Sequence, residues 1–148
     1  MSLKRFDPWA RRRARRLLAQ AFYQWQLSGT DIAEVEAQFV DDEGFGRVDQ
    51  QYFHEVLRGV AGEVDALDTL IAPLLDRPVA QLDQVERALL RMGAYELLRR
   101  SEVPWRVVID ECVSLARTFG AEESHKYVNA VLDALARTER AREVAADG

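Results

Sequence analysis

Five arginines fall within six positions, Arg11, Arg12, Arg13, Arg15 and Arg16, in the stretch "WARRRARRLLAQAFYQWQ". A guanidinium stays charged, offers a planar fork of donors that matches phosphate oxygens, and stacks on aromatic rings. Such a cluster points to binding of an anion rather than to catalysis. The residues that could catalyse are scattered. His54 and His125 are far apart in sequence, and "HEVLR" at His54 lacks the second histidine of a zinc helix. Cys112 sits in an apolar helical pattern and reads as an inert buried thiol. "GVAG" has neither the lysine nor the preceding strand of a phosphate loop. Adjacent acids such as Asp41-Asp42 and Glu122-Glu123 diverge on a helix. The expectation is a protein that is not an enzyme, with no catalytic set, no metal site and no cofactor.

The charge distribution sharpens the anion reading. Of 20 Lys+Arg and 25 Asp+Glu, seven bases and one acid lie within residues 1–16, which leaves 13 bases and 24 acids elsewhere. An acidic body with a basic end suits an anionic partner at that end. Lys4 and Lys126 are the only lysines in the sequence. The chain is 48% hydrophobic and 30% charged, which reads as a soluble globular chain rather than a disordered one. No apolar run reaches the length of a membrane span, and the N-terminus carries no apolar stretch of signal type. One cysteine excludes an internal disulfide. The expected compartment is the cytoplasm.

These side chains must be positioned by helices, because a 3.6-residue period runs through almost every segment and strand alternation does not. The fold expected is all-α, with five to seven helices in two small subdomains, residues 1–76 and 80–148, divided at "APLLDRPVA". Helix one runs from Pro8 to Leu27, with Ser28-Gly29 at its end and a core stripe of Ala14, Leu17, Leu18, Ala21, Phe22 and Trp25. Asp31 opens a second helix, and "DDEGFGRVD" reads as a loop. A third helix from Asp49 to about Leu75 contains Gly59 and Gly62, which weaken it or permit close packing. A fourth, from Asp83 to Arg100, is apolar over most of its circumference and should sit centrally. A fifth spans Pro104 to Gly120 and a sixth Glu122 to Arg140, followed by a frayed "EVAADG".

On helix one, Arg12, Arg16, Ala19 and Tyr23 share a face roughly opposite the core stripe. Arg13 lies beside them, Arg15 on the flank, and Arg11 lines up with the core stripe but projects past the helix end. Guanidiniums followed by a tyrosine make a narrow ridge suited to a single RNA or DNA strand, with a ring on which an unstacked base rests. Neutralising about five phosphates would give a log–log salt slope near −3.5, from about −0.7 per contact.

Three stretches, "ARRRARRLLAQAFYQWQLS", "DQVERALLRMGAYEL" and "TFGAEESHKYVNAVLD", resemble the NusB family of bacterial transcription antitermination factors over nearly the whole chain. The resemblance implies an all-helical protein without cofactor. It would bind the single-stranded boxA element of ribosomal RNA operon leaders together with NusE, a small-subunit ribosomal protein, within the RNA polymerase antitermination complex. A homodimer through the same surface is a further form the resemblance allows. By position, the RNA-binding set it implies is Arg11, Arg12, Arg13, Arg15, Tyr23, Arg91, Phe119 and Tyr127, and the NusE-binding pair is Glu86 and Glu123.

Bland alternatives stand beside these. Asp83-x-x-Glu86 could be a capping box, Phe119 ordinary core, Tyr127 a half-buried aromatic, and Glu123 a favourable charge at a helix start. Asn129 reads as a satisfied buried amide, and His125 and Lys126 as residues that hold a helix start. Departures from the family pattern are Arg16, Trp105, Glu123 in place of aspartate, and Ala130 in place of a glycine that would allow a close helix contact. Similar helical domains open certain ribosomal RNA methyltransferases, but no glycine-rich methyl-donor site occurs in these 148 residues. The alternative function is a helical protein–protein adaptor whose arginines meet an acidic partner.

Overall fold

The computed structural model describes residues 6–148. Among them are eight α-helices, three short 3-10 segments and no strand. Helix α1 (Pro8–Ser28) starts where Asp7 accepts hydrogen bonds from the Trp9 and Ala10 amides at 3.0 and 3.2 Å, with Pro8 in the first turn. It stops at Gly29, which takes a left-handed φ of 68°. Helix α2 (Ile32–Val40) is capped by Asp31, α3 (Gln50–Gly62) by Asp49 and α5 (Gln84–Arg99) by Asp83. Helices α4 (Val64–Ile71), α6 (Trp105–Phe119), α7 (Ser124–Glu139) and α8 (Ala141–Asp147) complete the set.

The number of helices exceeds the five to seven expected. The long third helix breaks after Gly62: the Glu63 amide bonds back to the Gly59 and Val60 carbonyls and closes α3 before α4 begins. The break re-aims α4 so that Leu67 and Ile71 reach the core. The tail expected to fray forms α8. Its Glu143 accepts from the Trp105 amide at 2.8 Å, and Asp147 accepts from the Trp105 indole at 2.7 Å. The loop after α2 contains a 3-10 turn, Glu43–Arg47, that buries Phe45 edge-on against Phe53.

Helix α5 is central, as its wide apolar surface implies. It buries Ala88, Leu89, Leu90, Met92, Ala94 and Leu97 and packs against α1, α3, α4, α6 and α7. One continuous core therefore crosses the boundary between residues 76 and 80. The close helix approach occurs at Gly93, where a β-carbon would stand 2.7 Å from Leu132 Cδ1. It does not involve Ala130, which is exposed, as is Asn129. Gly59 lies under the Tyr95 ring, so of the two glycines in α3 it is the one required by packing; around Gly62 there is open space. Gly93→Ala is expected to lower the unfolding free energy by about 1–3 kcal/mol through overpacking. Gly62→Ala should be neutral or stabilising by up to about 1 kcal/mol. Urea titrations of the two variants check this, and equal effects would refute the assignment.

Candidate nucleic-acid interface

The arginine run places like charges at the positive end of the α1 dipole, with no acidic residue in the first turn. Beyond the capping carboxylate of Asp7, compensation comes from other elements, and it divides the five side chains into two groups. Arg11 turns inward: its Nε donates to Asp49 Oδ2 at 3.0 Å, and its guanidinium lies 3.8 Å from the Tyr52 ring centroid. Arg15 is 3% exposed and donates to Glu96 Oε1 at 3.0 Å; Glu96 has no exposed surface. Burial pushes the Glu96 carboxyl above its ordinary range, against the pull of Arg15. Arg15 also reaches the Tyr52 hydroxyl at 3.3 Å. Arg15, expected among the RNA-binding residues, is thus buried under α5 and paired inside the protein rather than presented to solvent.

The remaining three face solvent. Arg12 is 49% exposed, 3.4 Å from Glu111 of α6, with the Trp9 ring 5.6 Å away. Arg13 is exposed and donates to the Arg47 carbonyl at 2.8 Å. Arg16 is exposed and lies 5.2 Å over the Phe119 ring. Ala19, expected on the same outer face, is buried, because α5 and the end of α6 close over it.

Beyond Arg16 a cleft of about 240 Å³ opens between α1, α5 and the end of α6. Tyr23, Gln20, Val85 and Phe119 are among its walls. Tyr23 and Phe119, distant in sequence, are thereby brought to one apolar hollow next to a cation. Phe119 is half-buried rather than fully core. Such a hollow offers ring faces to a flat apolar group, and the arginines offer donors to an anion attached to it.

Other expected site residues lie elsewhere or are differently engaged. Arg91 is held by Asp68 at 2.9 and 2.8 Å and by Gln26 at 3.2 Å, which ties α5 to α4 and α1. Glu86 is buried. Its amide completes the cap on Asp83, but its carboxylate accepts from Ser124 Oγ at 2.9 Å, and its other oxygen, Oε1, has no partner. The reciprocal capping box therefore does not form. Glu123 is exposed and pairs with Lys126 at 3.0 Å.

Tyr127 donates to Asp76 at 2.9 Å and carries Arg77 over its ring at 4.9 Å. Arg77 and Tyr127 hold the Asp76 carboxyl below its usual range, and burial pushes the Tyr127 phenol up. Cys112 is fully buried, which pushes its thiol well above the ordinary range. No cluster of potential metal ligands occurs among the described residues.

The sequence reading missed the wall that α6 contributes. Glu111, Ser114, Leu115 and Thr118 line a groove with Trp9, Arg12, Arg13 and Arg16. Their spacing of three and four puts them on one helical face. That signal is visible in the sequence, but its meaning depends on knowing that α6 lies beside α1.

Comparison with known proteins agrees with this architecture. The model of the NusB family matches residues 12–137. The transcription antitermination protein NusB of Alcanivorax borkumensis is 56% identical over 130 residues, covering 88% of this chain and 87% of that protein. That of Yersinia pestis strain Pestoides F is 53% identical over 135 residues, covering 91% and 98%. Among solved structures, T. maritima NusB superposes with a TM-score of 0.74 at 30% identity, covering 86% of this chain and 90% of that one. A structure of antitermination factors NusB and NusE in complex with dsRNA gives 0.70 at 26% identity, covering 85% and 95%. A basic, aromatic-lined groove on an all-helical frame, together with these matches, leads to one conclusion: the chain belongs to the NusB family.

Proposed function

We propose that this protein is an RNA-binding transcription antitermination factor of the cytoplasm. It recognises single-stranded boxA RNA of ribosomal RNA operon leaders together with NusE, within the RNA polymerase antitermination complex. The observation that carries the reading is the groove in which Arg12, Arg13 and Arg16 lead into the cleft of Tyr23 and Phe119. The backbone would follow the guanidiniums, and an unstacked base would rest on the rings. Tyr127 with Arg77 supplies a second cation–aromatic pair at the first turn of α7. Arg11 and Arg91 act by holding helices in register. The exposed Glu123 is the residue assigned to contact NusE, and the buried Glu86, through Ser124, holds the start of α7 beside it.

Because Arg11 and Arg15 are committed internally, about three phosphates rather than five are neutralised, and the log–log salt slope is expected near −2. Affinity should then fall roughly twentyfold between about 50 and 200 mM salt. Fluorescence anisotropy with boxA-type, scrambled and duplex RNA, each with and without NusE, measures this. Changing Arg12, Arg13 and Arg16 together to alanine should flatten the slope and weaken binding of every RNA. A slope untouched by that change, or no RNA binding even with NusE, would leave the adaptor reading, in which the same arginines meet an acidic protein.

A further inference from the structure

The groove between α1 and α6 contains a feature that works against its own charge. Among the described residues lining it, Glu111 is the single carboxylate, set among Arg12, Arg13 and Arg16 and the small polar side chains of Ser114 and Thr118. It lies 3.4 Å from Arg12 Nε and is itself only 19% exposed, while Arg12 is 49% exposed. The carboxylate thus sits on the floor and the guanidinium at the rim. An anion arriving from solvent meets an arginine whose inner side is already neutralised. It must either share that arginine with a like charge a few ångströms away or displace it.

We propose that Glu111 is an affinity-setting residue: an internal counter-ion that competes with the RNA backbone for Arg12. This rests on the reading of the groove as the RNA site. The competition acts on phosphate and not on bases, so it weakens binding of every sequence by one factor. It keeps charge-driven binding to unrelated RNA low, and it leaves discrimination to the aromatic cleft and to the partner protein. In the free protein the same contact offsets part of the repulsion among the arginines at the start of α1. The acid therefore serves folding and restrains binding at once.

The test uses the full chain with two single-stranded RNAs, one boxA-type and one scrambled, followed by anisotropy between about 50 and 200 mM KCl. Glu111→Gln keeps the shape of the side chain and removes its charge. It should tighten both RNAs by a similar factor, about fivefold at 50 mM salt, and steepen the slope by up to about 0.7. In an Arg12→Gln background the same change should have little effect, because the competition runs through Arg12. Unchanged or weaker binding in Glu111→Gln overturns the proposal. So does tightening that persists without Arg12, which would show a general field rather than competition for one side chain. Arg12→Gln alone separates the two readings. If it weakens RNA binding while Glu111→Gln does nothing, the groove stands and only the counter-ion role falls. If it has no effect, the counter-ion role falls, and if Arg12, Arg13 and Arg16 changed together also have none, the groove itself is not the RNA site and both fall.

Discussion

Arg15→Ala is expected to cost about 3–5 kcal/mol of stability, the largest loss for any member of the arginine run. The change removes the cation that pairs with Glu96 and leaves a carboxylate with no exposed surface among the apolar side chains of α5. The loss should depend on pH in a definite direction. Burial already raises the Glu96 carboxyl above its ordinary value of 4.5, and Arg15 opposes that rise. A carboxyl raised in the folded state contributes stability below its unfolded value and gives it up as pH climbs through the folded value. Without Arg15 the folded value moves further up, so the deficit against the parent chain should widen from about pH 5 toward pH 8. Urea unfolding at several pH values measures it.

Changing both partners to apolar residues, Arg15→Met with Glu96→Leu, should recover most of the stability. The recovery is incomplete because the Tyr52 hydroxyl also loses the Arg15 contact. If Arg15 has no part in RNA contact, the doubly changed protein also keeps the parent salt slope for RNA. A small, pH-independent loss in Arg15→Ala, or a flattened slope in the folded double variant, would show that Arg15 works at the surface after all.

The second large effect is expected at Arg140, between α7 and α8. Its buried guanidinium donates to the carbonyls of Glu96, Leu97 and Arg100 at the end of α5 at 3.2, 2.7 and 3.0 Å, and to the Val103 carbonyl at 3.0 Å. It also bonds Glu143 at 2.6 Å. The Glu96 and Arg100 carbonyls also accept from the Arg100 and Val103 amides at 2.9 and 3.0 Å, but for the Leu97 and Val103 carbonyls a side chain about 40 positions away supplies the donor. Arg140→Ala takes the donor from the Leu97 and Val103 carbonyls, at about 1–3 kcal/mol for each group fully deprived. Partial entry of water should reduce the total to about 3–4 kcal/mol. Arg140→Lys restores the charge but not the fork of donors, so it should fall between. The check is a lower urea midpoint with an unchanged denaturant slope. A loss under about 1 kcal/mol would mean that the α5 terminus is satisfied without Arg140.

Arg140 also shows where sequence reading stopped. The α8 segment carries weak helical signals, and "EVAADG" alone gives no reason for order. It is held by Glu143 and Asp147 on Trp105 and by Arg140 on α5, contacts that span 38 to 44 residues. The split of the third helix at Glu63 was half legible: Gly59 and Gly62 weaken the segment there, but its apolar spacing continues smoothly into α4.

The all-helical class, the start of α1 at Pro8, the aspartates that open α2 and α5, and the central place of α5 were all legible in the sequence. Each follows from local physics: hydrogen bonds four residues apart, caps two or three residues away, and an apolar period that a helix turns into a face. Periodicity already turned Arg12, Arg13 and Arg16 outward, whereas only the tertiary structure decided what each arginine pairs with and that Arg11 and Arg15 are taken inside. Arg11, Arg12, Arg13, Arg15 and Arg16 are alike in charge and reach, and their fates differ because Asp49, Glu111 and Glu96 arrive from three other helix segments. A helix's periodicity gives the direction in which a side chain points, whereas a charge takes its role from whatever opposite charge the packing brings within a few ångströms.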